Sequence, residues 1–333
     1  MKSLLKSLNN IWSFVILFAF LIVGLLLILP LYNIFLSSFI DNKTGSFTLQ
    51  NYIDILGRGY YRKAIYNSIF VGFSSMFGAL LIGVPLAFFT TRFKIRGKSV
   101  ISTLAILALV SPPFIGAYAW ITMLGSNGWL RHGFESIGIP MPTIYGPLGM
   151  VIVFSLKLYP FVYLLTSGAL SNINSSLEDA AESLGYPPFS KFIHVTLPLI
   201  LPAISTGALL AFVLSLADFG TPSIIGRNFR VLSTVAYNLF TSEMGGNLGL
   251  ASTVSILLIL VSLIFVYMQR IIIRNKDFGS DMLNPPEIKK LTRLTTIPVH
   301  FLCYFIVFLS SLPSIVVIYN SFRNTSGPVF QSG

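Results

Sequence analysis

Charge is scarce in this 333-residue sequence. Only 10% of its residues are charged, where a water-soluble domain carries about 25%. Too few charges remain to cover a water-facing surface. A single cysteine, Cys303, excludes an intramolecular disulfide, and no C-x-x-C pair offers a metal or redox site. The three histidines, His132, His194 and His300, stand far apart without an H-E-x-x-H pattern, so no metal ligand set is expected. No G-x-x-x-x-G-K-[ST] phosphate loop and no G-x-S-x-G nucleophile turn occurs. The chain therefore has no means of its own to hydrolyse ATP, no recognisable enzyme centre and no need of a cofactor.

Apolar residues are what it has in quantity: 54% are hydrophobic and 14% aromatic. The formal net charge of +11 comes from basic residues scattered between long apolar runs. They read as membrane-flank charges, not as a nucleic-acid surface. A helix needs roughly 20 apolar residues to cross a bilayer, because unpaired backbone groups are too costly in hydrocarbon. Seven stretches qualify: 12–36, 65–89, 99–124, 147–170, 199–216, 248–268 and 297–319. The first is too long, and too poor in small residues after it, to be a cleaved signal peptide. The expected class is an all-α polytopic membrane protein.

Basic residues then orient the spans. With the N-terminus cytoplasmic, thirteen Lys or Arg fall inside and eight outside, and the run Arg92, Lys94, Arg96, Lys98 carries no acid to dilute it. The outer segment 125–146 suits an interfacial helix around Trp129, whereas 218–247 shows little regular pattern. Inside, the Asn284-Pro285-Pro286 stretch marks a linker. Beyond it the chain starts again. Leu29-Pro30 followed by Ser38-Phe39 recurs as Leu312-Pro313 followed by Ser321-Phe322, every position shifted by 283 (313 − 30). Duplicated halves are common in transporters. The expected organisation is a six-span unit over 1–276, a linker over 277–296 and the first span of a second unit over 297–333. Such a chain would need a second half, or another copy of itself.

The segment 171–198, between the fourth and fifth spans, carries the chemistry. Ser175 is expected to cap a short helix, with Glu178 completing a capping box. Leu177, Ala180, Ala181 and Leu184 fall on one face at i, i+3, i+4, i+7 spacing. Glu178, Asp179 and Glu182 take the other, near the positive end of the helix dipole. Gly185 is a natural left-handed stop, Pro187-Pro188 prevents continuation, and a second short helix is expected over 189–195. An interfacial helix lying on lipid prefers Lys and Arg on its polar face. Here acids dominate, which points to a protein partner docking against them.

The string Glu178-Asp179-Ala180-Ala181-x-x-x-Gly185, continuing to Leu197-Pro198, resembles the EAA loop of binding-protein-dependent ABC transporter permeases. Further strings are similar to family sequence: Asn51-Tyr52, Asn67-Ser68, and Gly83-x-Pro85. Two others, Pro112-Pro113-Phe114-x-Gly116-Ala117-x-Ala119-Trp120 and Ala217-Asp218-Phe219-Gly220-Thr221-Pro222, look most like the ferric-iron type, whose permeases are usually two fused six-span halves. The resemblance implies a permease subunit in the bacterial inner membrane, working with a cytoplasmic ATP-binding subunit in two copies and an extracytoplasmic substrate-binding protein. Helix 176–185 would couple it to the ATPase through Glu178, Asp179, Ala180, Ala181, Gly185, Leu197 and Pro198. Iron(III) is the implied substrate, with thiamine, phosphonate, polyamine or sulfate as alternatives. The family presents two acidic loops to two ATPases, and by the repeat the second would lie near position 461 (178 + 283).

Lys157 is the only charge deep within a span. It either marks the solute pathway, or snorkels or pairs with a carbonyl freed by Pro160. Asp218, ending the fifth span, either lines the pathway mouth or caps the following loop. An ion-coupled secondary transporter would need paired intramembrane ionisable residues, and one Lys is a poor supply.

Overall fold

The computed structural model describes residues 11–42, 44–242, 246–274, 288 and 290–322. The Asn284-Pro285-Pro286 linker lies outside them. Fourteen helices account for the fold among these residues. They are α1 (Ile11–Ser38), α2 (Gln50–Gly57), α3 (Gly59–Arg92), α4 (Lys98–Val110), α5 (Pro113–Leu124), α6 (Trp129–Ser136) and α7 (Pro147–Ser171). There follow α8 (Ser175–Ser183), α9 (Pro188–Lys191), α10 (Leu197–Ala217), α11 (Gly220–Ile225), α12 (Leu232–Thr241), α13 (Leu248–Arg274) and α14 (Arg293–Ser321). Six of them are long and apolar enough to cross a membrane, α9 and α10 counting as one helix.

Three expectations need correction. The predicted third span, 99–124, is two helices bent by 105°. Pro112 and Pro113 cause the break. The residue before a proline is pushed out of the helical region, and Ser111 and Pro112 are both extended, with ψ of 120° and 144°. Proline is well tolerated in the first turn of a helix, where its missing N–H is not needed, and Pro113 begins α5. Second, the short helix expected over 189–195 does not end before Leu197-Pro198. It runs on through a π turn, Phe192–Thr196, into α10. Pro198 cannot donate to the carbonyl one turn back, and the wider turn, with Leu197 N–H bonded to the Phe192 carbonyl, absorbs that fault. Third, 218–247 is not irregular but holds α11 and α12. Side chains distant in sequence order its backbone: Asn67 donates to the Arg230 carbonyl at 2.9 Å, and Ser68 Oγ accepts the Leu232 N–H at 2.7 Å.

The chain divides into two compact units. One comprises 1–62 and 235–260. Within it α1 buries nothing across its most apolar stretch, as a helix facing lipid or a partner must. Its end is tied down by the family-like Asn51-Tyr52 pair: Asn51 donates to the Ser38 and Ile40 carbonyls, and the Ser38 and Tyr52 hydroxyls meet at 2.9 Å. Thr253 also donates to the Ser38 carbonyl.

The other unit comprises 63–234 and 261–333, and its core is built around α7. Phe154, Tyr159, Val162 and Tyr163 are fully buried there. Glycines let neighbouring backbones approach α7 closely, as expected for packed membrane helices. A Cβ at Gly207 of α10 would lie 2.7 Å from Val162 Cα, and one at Gly83 of α3 would lie 2.9 Å from the Tyr159 carbonyl oxygen. Polar links complete the core. The Ser102 and Tyr163 hydroxyls meet at 2.7 Å, and those of Tyr159 and Ser310 at 3.0 Å.

Candidate functional site

Two constellations emerge, both within the unit built around α7. The first surrounds α8. Asn174, not the predicted Ser175, is the N-cap, its Oδ1 accepting the Ser176 N–H at 3.1 Å. Ser175 is already inside the helix. Glu178 therefore completes no capping box. Its carboxylate turns inward and accepts both guanidinium nitrogens of Arg92, at 2.7 and 3.1 Å, and the Thr196 hydroxyl at 2.8 Å. The Arg92 and Glu178 side chains keep only 9% and 16% of their surface exposed. In this structure Glu178 is thus turned into the protein and not outward. The reason is geometric: Arg92 ends α3 where its planar fork can engage both carboxylate oxygens at once.

The remaining predicted residues sort into two groups. Ala181 is buried on the inner side of α8, while Leu177, Asp179 and Ala180 face outward. Leu197 and Pro198 are half-buried at the start of α10. Glu182 is bridged by Lys191 at 2.6 Å, which ties α8 to α9. Leu184 is 79% exposed, and Tyr186, Phe189 and Ile193 are exposed beside it. The result is an apolar outward face, which a helix cannot keep in water without a partner.

Gly185 behaves as the sequence predicts. Its φ is +84°. The Gly185 N–H donates to the Glu182 carbonyl and the Tyr186 N–H to that of Ala181, the double closure of a Schellman turn. No atom lies within 4 Å of where a Cβ would stand, so the cost of a side chain is conformational alone. Gly185→Ala should lose about 1 kcal/mol of local stability, and Gly185→Asn less, because asparagine tolerates the left-handed region. Amide exchange of Gly185 and Tyr186 measures both.

The second constellation joins Lys157 and Asp218. Lys157 Nζ donates to Asp218 Oδ2 at 2.8 Å, rather than to a carbonyl freed by Pro160, and Asp218 Oδ1 accepts the Thr221 N–H. Asp218 thus caps the start of α11. The side chains keep 21% and 6% of their surface. The strings 112–120 and 217–222, singled out separately in the sequence, lie against each other here. Gly220 makes the contact possible, since a Cβ there would stand 2.9 Å from Pro113 Cβ. The Phe114 and Phe219 rings meet edge-on at 5.6 Å. Between α4, α5, α7, α11 and α14 they leave a cavity of about 20 Å³, room for one water-sized sphere. Sequence reasoning missed Arg92 and Thr196 as holders of Glu178, and Thr221 and Ser111 as cavity-lining hydroxyls. Only the position of Arg92 at the end of a span gave any signal. Among the described residues no three His, Cys, Asp or Glu side chains converge on a metal-sized point.

Comparison with known proteins accords with this geometry. The ferric transport system permease protein FbpB of Actinobacillus pleuropneumoniae is 29% identical over 260 residues, covering 78% of this chain and 37% of its own. A probable sulfate transport system permease of Helicosporidium is 28% identical over 220 residues, covering 66% of this chain and 78% of its own. The molybdenum transport system permease ModB of Haemophilus influenzae is 32% identical over 159 residues, covering 47% of this chain and 69% of its own. The chain spans less than half the length of the ferric permeases it matches. In fold it is similar to a chain of a bacterial alginate ABC transporter solved with its periplasmic protein. That likeness has a TM-score of 0.66 at 18% identity, over 81% of this chain and 96% of that one. Residues 79–277, which hold α8, the Lys157–Asp218 pair and four of the six long helices in whole or part, match the family model itself, and the chain belongs to the binding-protein-dependent transport system inner membrane components.

Proposed function

We propose that this chain is the membrane-spanning permease subunit of an ATP-driven importer, and that its solute is iron(III). The observation that carries the first statement is the α8–α9 face. Leu177, Leu184 and Phe189 are held outward because Arg92, Thr196 and Lys191 pull the acids Glu178 and Glu182 inward or sideways. Such a face is what a cytoplasmic ATP-binding subunit would cover, in the loop that carries the EAA spacing. The N-terminus is then cytoplasmic, with Arg92, Lys94, Arg96 and Lys98 on the same side as α8.

Iron(III) rests on the likeness to ferric permeases over most of this chain. Sulfate, molybdenum and polyamine permeases match as well, so sulfate, molybdate and polyamines are the competing solutes. A substrate-binding protein delivers the solute, and a second permease half completes the pathway. The matched ends of α1 and α14 favour such a repeat. Both helices stop on a serine, Ser38 and Ser321, whose hydroxyl donates to the carbonyl three residues back, at the 283-residue offset.

The test reconstitutes the chain with the ATPase, the binding protein and a second half in proteoliposomes. ATP-dependent uptake of radioactive iron is expected, unaffected by excess sulfate or molybdate. Purified alone, the chain should show no ATP turnover. Leu184→Asp with Phe189→Asp should abolish capture of the ATPase while the protein still inserts. Undiminished capture by that double variant would refute the docking face, and sulfate-driven rather than iron-driven uptake would refute the solute.

A further inference from the structure

The cavity beside Lys157 has an unbalanced lining. Its wall carries the Lys157 ammonium and hydroxyl groups but no free carboxylate. Asp218 is spent, one oxygen on Lys157 and the other on the Thr221 N–H. An ammonium has three donors, and Asp218 takes one of those of Lys157. Thr221 is fully buried, and its hydroxyl has no partner. Five buried hydroxyls share that fate among the described residues, but Thr221 alone of them lines the cavity. The first turn of α5 adds Pro113 and Gly116 to the wall, at the end of a helix that bears partial positive charge.

A buried, unpartnered hydroxyl is costly unless something fills its bond. What fits here accepts hydrogen bonds and presents one atom no larger than a water. We propose that this cavity is an oxyanion subsite, in which one oxygen of a small tetrahedral anion sits between Lys157 Nζ and Thr221 Oγ1. The rest of the anion lies on the side where Lys157 keeps a fifth of its surface open. A bare cation finds no free carboxylate there. The subsite is independent of which solute crosses the membrane, because it follows from the donors alone.

The full chain in nanodiscs of zwitterionic lipid, which offers no anionic headgroup, is titrated calorimetrically with sulfate, phosphate, molybdate and chloride at constant ionic strength. Saturable millimolar binding of at least one oxyanion is expected, with none of chloride. Thr221→Val keeps the shape and removes the donor, and should weaken that binding about tenfold, the effect of one hydrogen bond to a charged group. Lys157→Met paired with Asp218→Asn leaves no buried lone charge and should abolish it, whereas Lys157→Arg should retain it. Unchanged thermal midpoints in the same nanodiscs show that these variants fold. Absence of binding by all three oxyanions, chloride binding instead, or binding indifferent to both Thr221→Val and the double variant would each overturn the subsite. Iron uptake by a chain that binds no oxyanion would overturn the subsite and leave the transport reading standing. Oxyanion binding without iron uptake would do the reverse.

Discussion

Arg92→Ala is expected to unseat α8 from the body of the protein without unfolding it. Removing one partner of a buried ion pair strands the other, a loss of about 3–5 kcal/mol when burial is complete. Here both side chains keep a little exposure, so about 3 kcal/mol is the better expectation, close to 100-fold in the local equilibrium. Glu178 would then retain only the Thr196 hydroxyl as a ligand. Hydrogen exchange of the amides in α8 should accelerate by about that factor, while those of α7, which does not use the pair, stay protected. Uptake should fall in parallel, because a helix free to wander cannot transmit a partner's motion. Exchanging the two charges, Arg92→Glu with Glu178→Arg, should restore part of both. If α8 exchange is unchanged in Arg92→Ala, the ion pair does not seat the helix. If Glu178→Gln leaves exchange unaltered but loses the ATPase, Glu178 faces the partner after all.

Gly207→Val should prevent the unit around α7 from forming. Its Cβ would stand 2.7 Å from Val162 Cα and 3.2 Å from Val162 N, atoms of a helix backbone that cannot step aside. The same turn of α7 is pressed from the other direction by Gly83, where a Cβ would stand 2.8 Å from Val162 Cβ. Val162 thus sits between two glycine contacts. Overpacking by one methyl typically loses about 1–3 kcal/mol, so Gly207→Ala should lower stability by that much, and the branched valine by more. Gly168 in α7 is the control. No atom lies within 4 Å of its would-be Cβ, and Gly168→Ala should be neutral or stabilise by up to about 1 kcal/mol through helix propensity. Thermal unfolding in a fixed lipid separates the three. Equal midpoints for Gly207→Ala and Gly168→Ala would show that α10 does not pack on α7 through bare backbone.

Local signals in the sequence were reliable where a residue's neighbours in the chain settle its state. Gly185 ends a helix because nothing but its own φ is at stake, and the long apolar runs become helices because lipid leaves backbone groups no other partner. The helix that carries Glu178, Asp179, Ala180 and Ala181 was legible for the same reason, since its apolar positions follow the helical period and Gly185 ends it. Hydropathy misled at Ser111–Pro113. Averaging over a span hides two prolines that break it, and the break is what places α5 against α11. Segment 218–247 looked patternless because its helices are ordered by Asn67 and Ser68, more than 160 residues away.

Direction, too, was decided by the fold. Nothing within α8 distinguishes Glu178 from Glu182, yet one is buried against Arg92, 86 residues distant, and the other stays in solvent with Lys191. Lys157 and Asp218 each read as a solitary charge, because their separation of 61 residues exceeds any helical period. Charge and turn propensity act between neighbours in the chain and can be read along it. Pairing, burial and the shape of a cavity act between neighbours in space, and these existed only once α3, α7 and α10 had closed on one another.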